Sequence, residues 1–345
     1  MRVKLGDIFE IGSGGTPSKL HPEYYGGNIP WVKTGDLKSE YLYKVEDYIT
    51  EEGLINSSAK LYETDTVLVA MYGATIGAAS ILKMPACTNQ ACAAFRKSER
   101  VIPEYLYYFL KSQKNKFIKD GVGGAQPNIS AGYLKRVQME LLSIDEQKAT
   151  VDVLDNAANI IRKRKQEMQL LDDLIKARFV ELTNKEKTVP TRMGDVATYV
   201  NGYAFKPTDW KNKGLPIIRI QNLNDSNALY NYFDGKINEK YRIHKGDVLV
   251  SWATHLEAYI WKGQDAWLNQ HIFKVEFNKM EINKVYFVYS TEEALRQAFK
   301  NAHGFKPTME HIKRSDFENA VIQVPSIELQ NQFADFVNQV NKSKL

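Results

Sequence analysis

Between positions 143 and 185 the chain carries neither glycine nor proline, and its apolar residues keep a helical period. Leu154, Ile161, Met168, Ile175 and Leu182 recur every seventh residue. Val151 and Ala158 add a second seam position early on, and Leu171, Leu174 and Phe179 add one later. Sustained heptads predict a coiled-coil helix of roughly 43 residues, about 64 Å long and too long to lie inside one small domain. Ser143 followed by Glu146 is a capping-box pattern at its start. A second amphipathic stretch, 325–345, opens in the same way and carries Ile327, Phe333, Val337 and Val340 as its apolar stripe. It is less than half as long as the first.

Elsewhere the period changes. Short apolar runs rich in β-branched residues, such as 66–69 and 248–252, predict buried strands, and segments rich in glycine or proline, such as 12–17 and 121–124, predict loops. Shorter helices are expected near 103–113 and 282–300. The two non-helical stretches also repeat each other in order. Leu5-Gly6-Asp7 returns as Met193-Gly194-Asp195, and Val67-Leu68-Val69 as Val248-Leu249-Val250. Asn89-Gln90 returns as Asn269-Gln270, and Ser143-Ile144-Asp145-Glu146-Gln147 as Ser326-Ile327-Glu328-Leu329-Gln330. The spacing is far too long for a solenoid, so the chain is a duplicated module. The expected fold is α+β: two mixed α/β domains, 1–142 and 190–324, joined by a long central helix within 143–189 and followed by a shortened distal helix at 325–345.

Charge narrows the function. The 345 residues include 46 lysines and arginines against 41 aspartates and glutamates, a net charge of +5. The central helix holds eight acids and eight bases and the distal one two of each, so the excess belongs to the lobes. That permits a polyanionic partner without demanding one. No stretch approaches the roughly 20 apolar residues of a membrane helix, and the start lacks a signal-peptide core. The only cysteines, Cys87 and Cys92, exclude a disulfide framework and a four-cysteine zinc site. The expectation is a cytoplasmic, reduced protein with no membrane partner.

Catalytic signals are weak. None of the six histidines stands at metal-ligand spacing, so no metal is expected. The segment 12–19 lacks the Gly-Lys-Ser/Thr ending of a phosphate loop, and Pro17 interrupts it, so it reads as a turn. Glu23, Asp36 and Lys38 loosely fit a metal-dependent nuclease, but the second copy has Asn222-Leu223-Asn224 where the first has Asp36-Leu37-Lys38. A methyltransferase motif would need consecutive prolines, and there are none. The expected catalytic, metal and cofactor residues on this chain are none.

Two lobes joined by a long heptad helix, with a similar helix after the second lobe, resemble the specificity subunit of type I restriction–modification systems. The resemblance spans the whole chain. It rests on the paired Gly-Asp lobe openings, the 30–37 and 216–223 segments, the Asn-Gln pairs and the Ser-Ile-acid-x-Gln helix starts. It implies that each lobe is a target-recognition domain reading one half of a bipartite double-stranded DNA site. The helices would pair antiparallel and fix the gap. Two modification subunits would dock there, carrying S-adenosylmethionine and methylating adenine at N6, and restriction subunits can join them. Two other readings stay open: a decoy that sequesters modification subunits, and the nuclease above. The distal helix is short for this pattern. Met168, Leu171, Ile175 and Leu182 are therefore expected to lie uncovered and to drive self-association or capture a partner. The expected helix-interface set is Val151, Leu154, Ala158, Ile161, Met168, Leu171, Ile175 and Leu182 with Ile327, Phe333, Val337 and Val340.

The duplication also sorts candidate DNA contacts. Features shared by both lobes suit scaffold or phosphate roles, while base readers should differ between them. Lys33 and Arg219, basic in both copies, are phosphate candidates. Asn89-Gln90 and Asn269-Gln270 are shared and read as structural. The divergent base-reading candidates are Thr34, Tyr72, Thr75, Gln126 and Asn128 in the first lobe, and Gln221, Asn222, Trp252, His255, Lys306 and Thr308 in the second. Amides can bond adenine in bidentate fashion, lysine suits guanine, and the aromatic rings could stack on a base.

Overall fold

The computed structural model describes residues 1–122, 128–185, 187–225, 227–253, 257–303 and 313–344. Its contacts divide the chain into two compact units, residues 1–163 and 164–345. The boundary falls inside the long helix, which begins in one unit and ends in the other.

In the first unit, strands β1 (Ile11–Ser13), β2 (Tyr25–Val32), β3 (Val67–Ala70), β4 (Ala79–Leu82), β5 (Ala86–Thr88) and β6 (Cys92–Phe95) build two sheets. One sheet runs β1-β6-β3-β4 and ends on Tyr41–Leu42. The other sets β2 and β5 side by side between Tyr48–Ile49 and Leu61–Tyr62. The β2–β5 pair is parallel, with Val32 opposite Thr88. In the first sheet every residue of the antiparallel neighbours β3 and β4 is buried, so both faces of these strands are covered.

The second unit repeats the plan, without a counterpart among the described residues of the Tyr41–Leu42 edge strand. Its strands β7 (Thr198–Asn201), β8 (Leu215–Ile218), β9 (Val248–Ser251), β10 (Glu257–Ile260), β11 (Ala266–Leu268) and β12 (Ile272–Glu276) form a β7-β12-β9-β10 sheet. A second sheet holds the parallel β8–β11 pair between Asn231–Phe233 and Arg242–Ile243, with Ile218 opposite Leu268. Each unit is closed by its own ends. Arg2–Lys4 pairs with Gln138–Glu140, and Val189–Arg192 with Val321–Val324.

Four longer helices complete the chain: α1 (Pro103–Ser112), α2 (Ile144–Lys185), α3 (Lys284–His303) and α4 (Ile327–Ser343). At the start of α2 the Ser143 amide donates to Glu146 Oε2 at 2.9 Å, and the Glu146 amide donates back to Ser143 Oγ at 3.3 Å. The shared glutamine of the helix-start motif has a physical reason. Gln147 is fully buried; it donates to the carbonyls of Arg100 and Leu142 and accepts from the Ile102 amide. Gln330 likewise donates to the Pro325 carbonyl and accepts from the Asn283 amide. In each copy it ties the long helix to the N-terminus of the preceding one, and it satisfies backbone groups that burial would otherwise leave unpaired.

Within the second unit α4 packs antiparallel on the end of α2. Phe333 lies 5.6 Å from Phe179, ring to ring. Further along α4, Ser343 and Lys344 reach back to the earlier residues Arg164 and Asp172. This corrects the expectation about which heptad positions lie open. Ile175 and Leu182 are 1% and 3% exposed, and Leu171 and Phe179 pack on the same core as Phe333, Val337 and Val340. Met168, at the rim, stays exposed, and so does Leu174. Because the partner helix starts beside the end of α2 and runs back, it covers the second half first. Val151 is buried in the first unit, but Leu154, Ala158 and Ile161 of the expected interface are exposed, and Ile327 is half-exposed at the start of α4.

Candidate nucleic-acid interface

The parallel strand pairs set the site. In the first unit the turns after β2 and β5 leave neighbouring strands, and the turn after β3, from the other sheet, is tied to the second of them by a backbone hydrogen bond. The Asn89 amide donates to the Val32 carbonyl at 3.0 Å, and the Met71 amide donates to the Ala91 carbonyl at 2.8 Å. The second unit repeats these links: Asn269 N donates to Ile218 O, and Trp252 N to His271 O. Lys33, Tyr72 and Gln90 in one unit and Arg219, Trp252 and Gln270 in the other thus stand at matching places.

The turns after β2 and β8 are built alike. Asp36 Oδ2 accepts from the Lys33 amide at 2.7 Å, and Asn222 Oδ1 accepts from the Arg219 amide at 3.1 Å. Asn222 is also buried and donates to the carbonyls of Ala228 and Leu229. This corrects its assignment as a base reader: the side chain caps its turn and has no free edge. It also accounts for Asp36, whose carboxylate does the same work in the first copy. Glu23, the other acid of the nuclease reading, bonds His21 at 2.8 Å. Among the described residues no cluster of three histidines, cysteines or acids is placed to hold a metal ion.

The surface chemistry of the two edges differs. Lys33 pairs with Asp47, whose carboxylate accepts from the ammonium and raises the lysine pKa above its usual range, and the pair is half-exposed. Arg219 instead lies over the Trp210 ring, 5.3 Å from its centre, and donates to the Asn231 amide oxygen at 3.3 Å. A stacked guanidinium keeps its charge while its orientation is held. Trp210, Arg219, Gln221, Asn224 and Gln270 line an open cleft of about 490 Å³. Gln221 is exposed at its rim.

The Asn-Gln pairs, read as wholly structural, divide. Asn89 Oδ1 accepts from the Ala91 amide and fixes its turn, while Gln90 is exposed and bonds Thr16 at 2.5 Å. Gln270 faces the cleft beside His271. Trp210 carries no signal of this role in the sequence: it follows the short turn Pro207–Asp209, nine residues before Arg219, and no periodicity links the two.

The other candidates are placed as follows. Thr34 is half-exposed at the start of the Asp36 turn. Tyr72 is 40% exposed and bridges Asn128 through the backbone, with Thr75 donating to the Tyr72 carbonyl, so these three gather in one loop cluster. Gly73 inside it adopts φ of +64°, which a side chain would strain. Trp252 stacks on Phe273 at 5.7 Å and packs on the core, so its ring is committed to the fold. Gln126, His255, Lys306 and Thr308 lie outside the described residues. Burial raises the pKa of the Cys87 and Cys92 thiols to about 11 and about 12, which keeps both protonated and inert at neutral pH. Gly14 packs so closely on Thr88 that an added Cβ would sit 1.8 Å from its carbonyl oxygen, which accounts for the glycine-rich turn at 12–17.

Comparison with known proteins bears on this duplicated edge. The family model described as type I restriction modification DNA specificity domain matches residues 1–170 and 185–345. The type I restriction enzyme MjaIX specificity subunit of Methanocaldococcus jannaschii is 27% identical over 375 aligned positions, which cover 97% of this chain and 85% of that protein. The EcoR124I/EcoR124II specificity subunit of Escherichia coli is 29% identical over 157 residues, 44% of this chain and 39% of its own. Among solved structures, one described as showing complex assembly and conformational transition of the type I R-M system has a TM-score of 0.61 and 14% identity. It is matched over 90% of its length and all of this chain. The S subunit from M. genitalium gives 0.54 at the same identity and coverage. At these identities the structures speak for the fold.

Proposed function

This chain belongs to the type I restriction–modification DNA specificity family, and from that premise we propose that its two units each read one half of a bipartite double-stranded DNA site. The chain is the specificity component and carries no active site of its own; chemistry belongs to its partners. The observation that carries the reading is the edge built twice on one topology, with matched turns and unmatched side chains. Matched backbone suits a common docking geometry on phosphates, and unmatched side chains suit two different base sequences. The first edge offers Thr34, Gln90 and the Tyr72–Asn128 loop; the second offers Arg219 on Trp210 with Gln221 and Gln270.

The partners in this reading are two modification subunits, which hold S-adenosylmethionine and methylate adenine at N6, and restriction subunits that can join them. Long-read mapping of N6-methyladenine in cells making this chain with its companion modification subunit tests it. The expected result is a bipartite motif with a fixed gap, and Gln221→Ala should relax only one of its halves. A motif with one half, or relaxation of both halves together, overturns the assignment of one half-site per unit. Binding by the assembled complex sharpens it. Arg219→Ala should weaken affinity about five- to tenfold and lower the salt slope by about one, whereas Lys33→Ala, whose ammonium is already held by Asp47, should cost less than about twofold.

A further inference from the structure

Within the second unit, Asn224 is a cleft residue held from behind. It is exposed and lines the cleft with Arg219, Gln221 and Gln270. Its side-chain amide meets the Tyr259 hydroxyl, and that hydroxyl also lies 2.7 Å from Glu257 Oε2. Tyr259 is half-buried on β10 and packs on the apolar cluster that holds Ile218, Leu249 and Leu268, which fixes where its hydroxyl stands. The first unit has no such device. Leu249 stands opposite Tyr259 where Leu68 stands opposite Ser80, and the Ser80 hydroxyl donates to the Ser39 carbonyl instead. Ala78 takes the place of Glu257, and Lys38 that of Asn224. Scaffold is common to both copies, whereas a device present in one alone suits a base contact.

Proton bookkeeping decides which way the amide faces. A phenol carries one proton, and with the amide oxygen toward Tyr259 both contacts would draw on it. A carboxylate can only accept, and a hydrogen bond to an ionised group is the stronger of the two on offer, so the proton goes to Glu257. The phenol oxygen then faces Asn224 as an acceptor and is met by Nδ2, since an amide turned over keeps its shape. Oδ1 is left as the free acceptor of a side chain that lines the cleft. We propose that Asn224 is a specificity-determining residue of the second half-site, its Oδ1 accepting from the exocyclic amino group of an adenine or a cytosine, with Tyr259 and Glu257 as positioning residues that set the direction of its amide. Those two amino groups are the base donors of the major groove, while guanine O6 and thymine O4 present acceptors in their place. The inference rests on the reading of this edge as a DNA contact.

The test measures binding of the assembled complex to its mapped site. A wild-type chain that yields no second half-site sinks the DNA reading, and this inference with it; every other outcome separates the two. Duplexes lacking one amino group at a time in that half are compared with the parent, purine replacing adenine and 2-pyrimidinone replacing cytosine. One of them should bind the wild-type complex about fivefold or more weakly, and its identity tells adenine from cytosine. Asn224→Ala should bind that duplex and the parent alike, while Asn224→Asp, which keeps only acceptors, should still tell them apart. Tyr259→Phe keeps the ring and frees the amide to turn. It should keep the sensitivity to amino loss, yet narrow to less than about threefold the rejection of guanine for adenine, or thymine for cytosine, at that position alone. Added to Asn224→Ala it should change nothing further, whereas a merely structural role for Tyr259 would weaken every position together. The proposal is overturned if Asn224→Ala stays sensitive to every amino group. It is also overturned if that variant is blind only to the loss of a base acceptor, with a 7-deazapurine or 4-thiothymine in the half-site.

Discussion

The two halves of the central helix have similar apolar content and different fates. Ile160 and Ile175 are the same residue on the same helix, yet one is 68% exposed and the other 1%. The second half is covered because α4, starting beside its end, must run back along it to bury Phe333, Val337 and Val340. Among the described residues the first half is held along its first three turns, by the Ser143–Glu146 box, the Gln147 clamp, buried Val151 and a 2.6 Å hydrogen bond from Tyr108 to Asp155. Hydrophobic spacing therefore marks a surface capable of pairing, while chain geometry decides which part of it is paired.

The sharpest way to break the contrast is Phe333→Ala. Its ring sits between Phe179 of α2 and Tyr286 and Tyr289 of α3, so its removal opens a cavity where three helices meet. The second unit should lose about 3–5 kcal/mol in denaturant unfolding, with the first unit unaffected. The isoleucines measure the contrast directly. Ile175→Ala should cost about 2–4 kcal/mol. Ile160→Ala should stay within about 0.5 kcal/mol. An equal loss at both positions would mean that the first half is buried in solution. The smaller effect tests the start of the helix. Gln147→Leu strands the Ile102 amide and two carbonyls, and should destabilise the first unit by about 1–3 kcal/mol. Gln330→Leu should do the same to the second unit, because the clamp is duplicated.

Much of this was legible in the sequence, for reasons that are local. The absence of glycine and proline from 143 to 185 gave a helix that the structure places at Ile144–Lys185, and the serine–glutamate spacing located its cap. Continuous apolar runs located the buried strands at Val67–Ala70 and Val248–Ser251. The candidate edge was legible only in part. Treating shared residues as scaffold and divergent ones as readers failed at Asn222, because asparagine and aspartate cap a turn equally well. It did not distinguish Gln270 from Asn269, although Gln270 faces the cleft. Trp210 was invisible to it, since stacking against Arg219 depends on two elements meeting in space.

Sequence by itself determined the duplication, the helix and its limits, the buried strands and the charge balance, because each depends on periodicity or composition within a short window. Only the tertiary structure decided which half of the helix is covered, which turns share an edge and which polar side chains are spent on capping. Those outcomes depend on how distant segments pack and on what hydrogen bonds burial requires, and no local pattern carries that information.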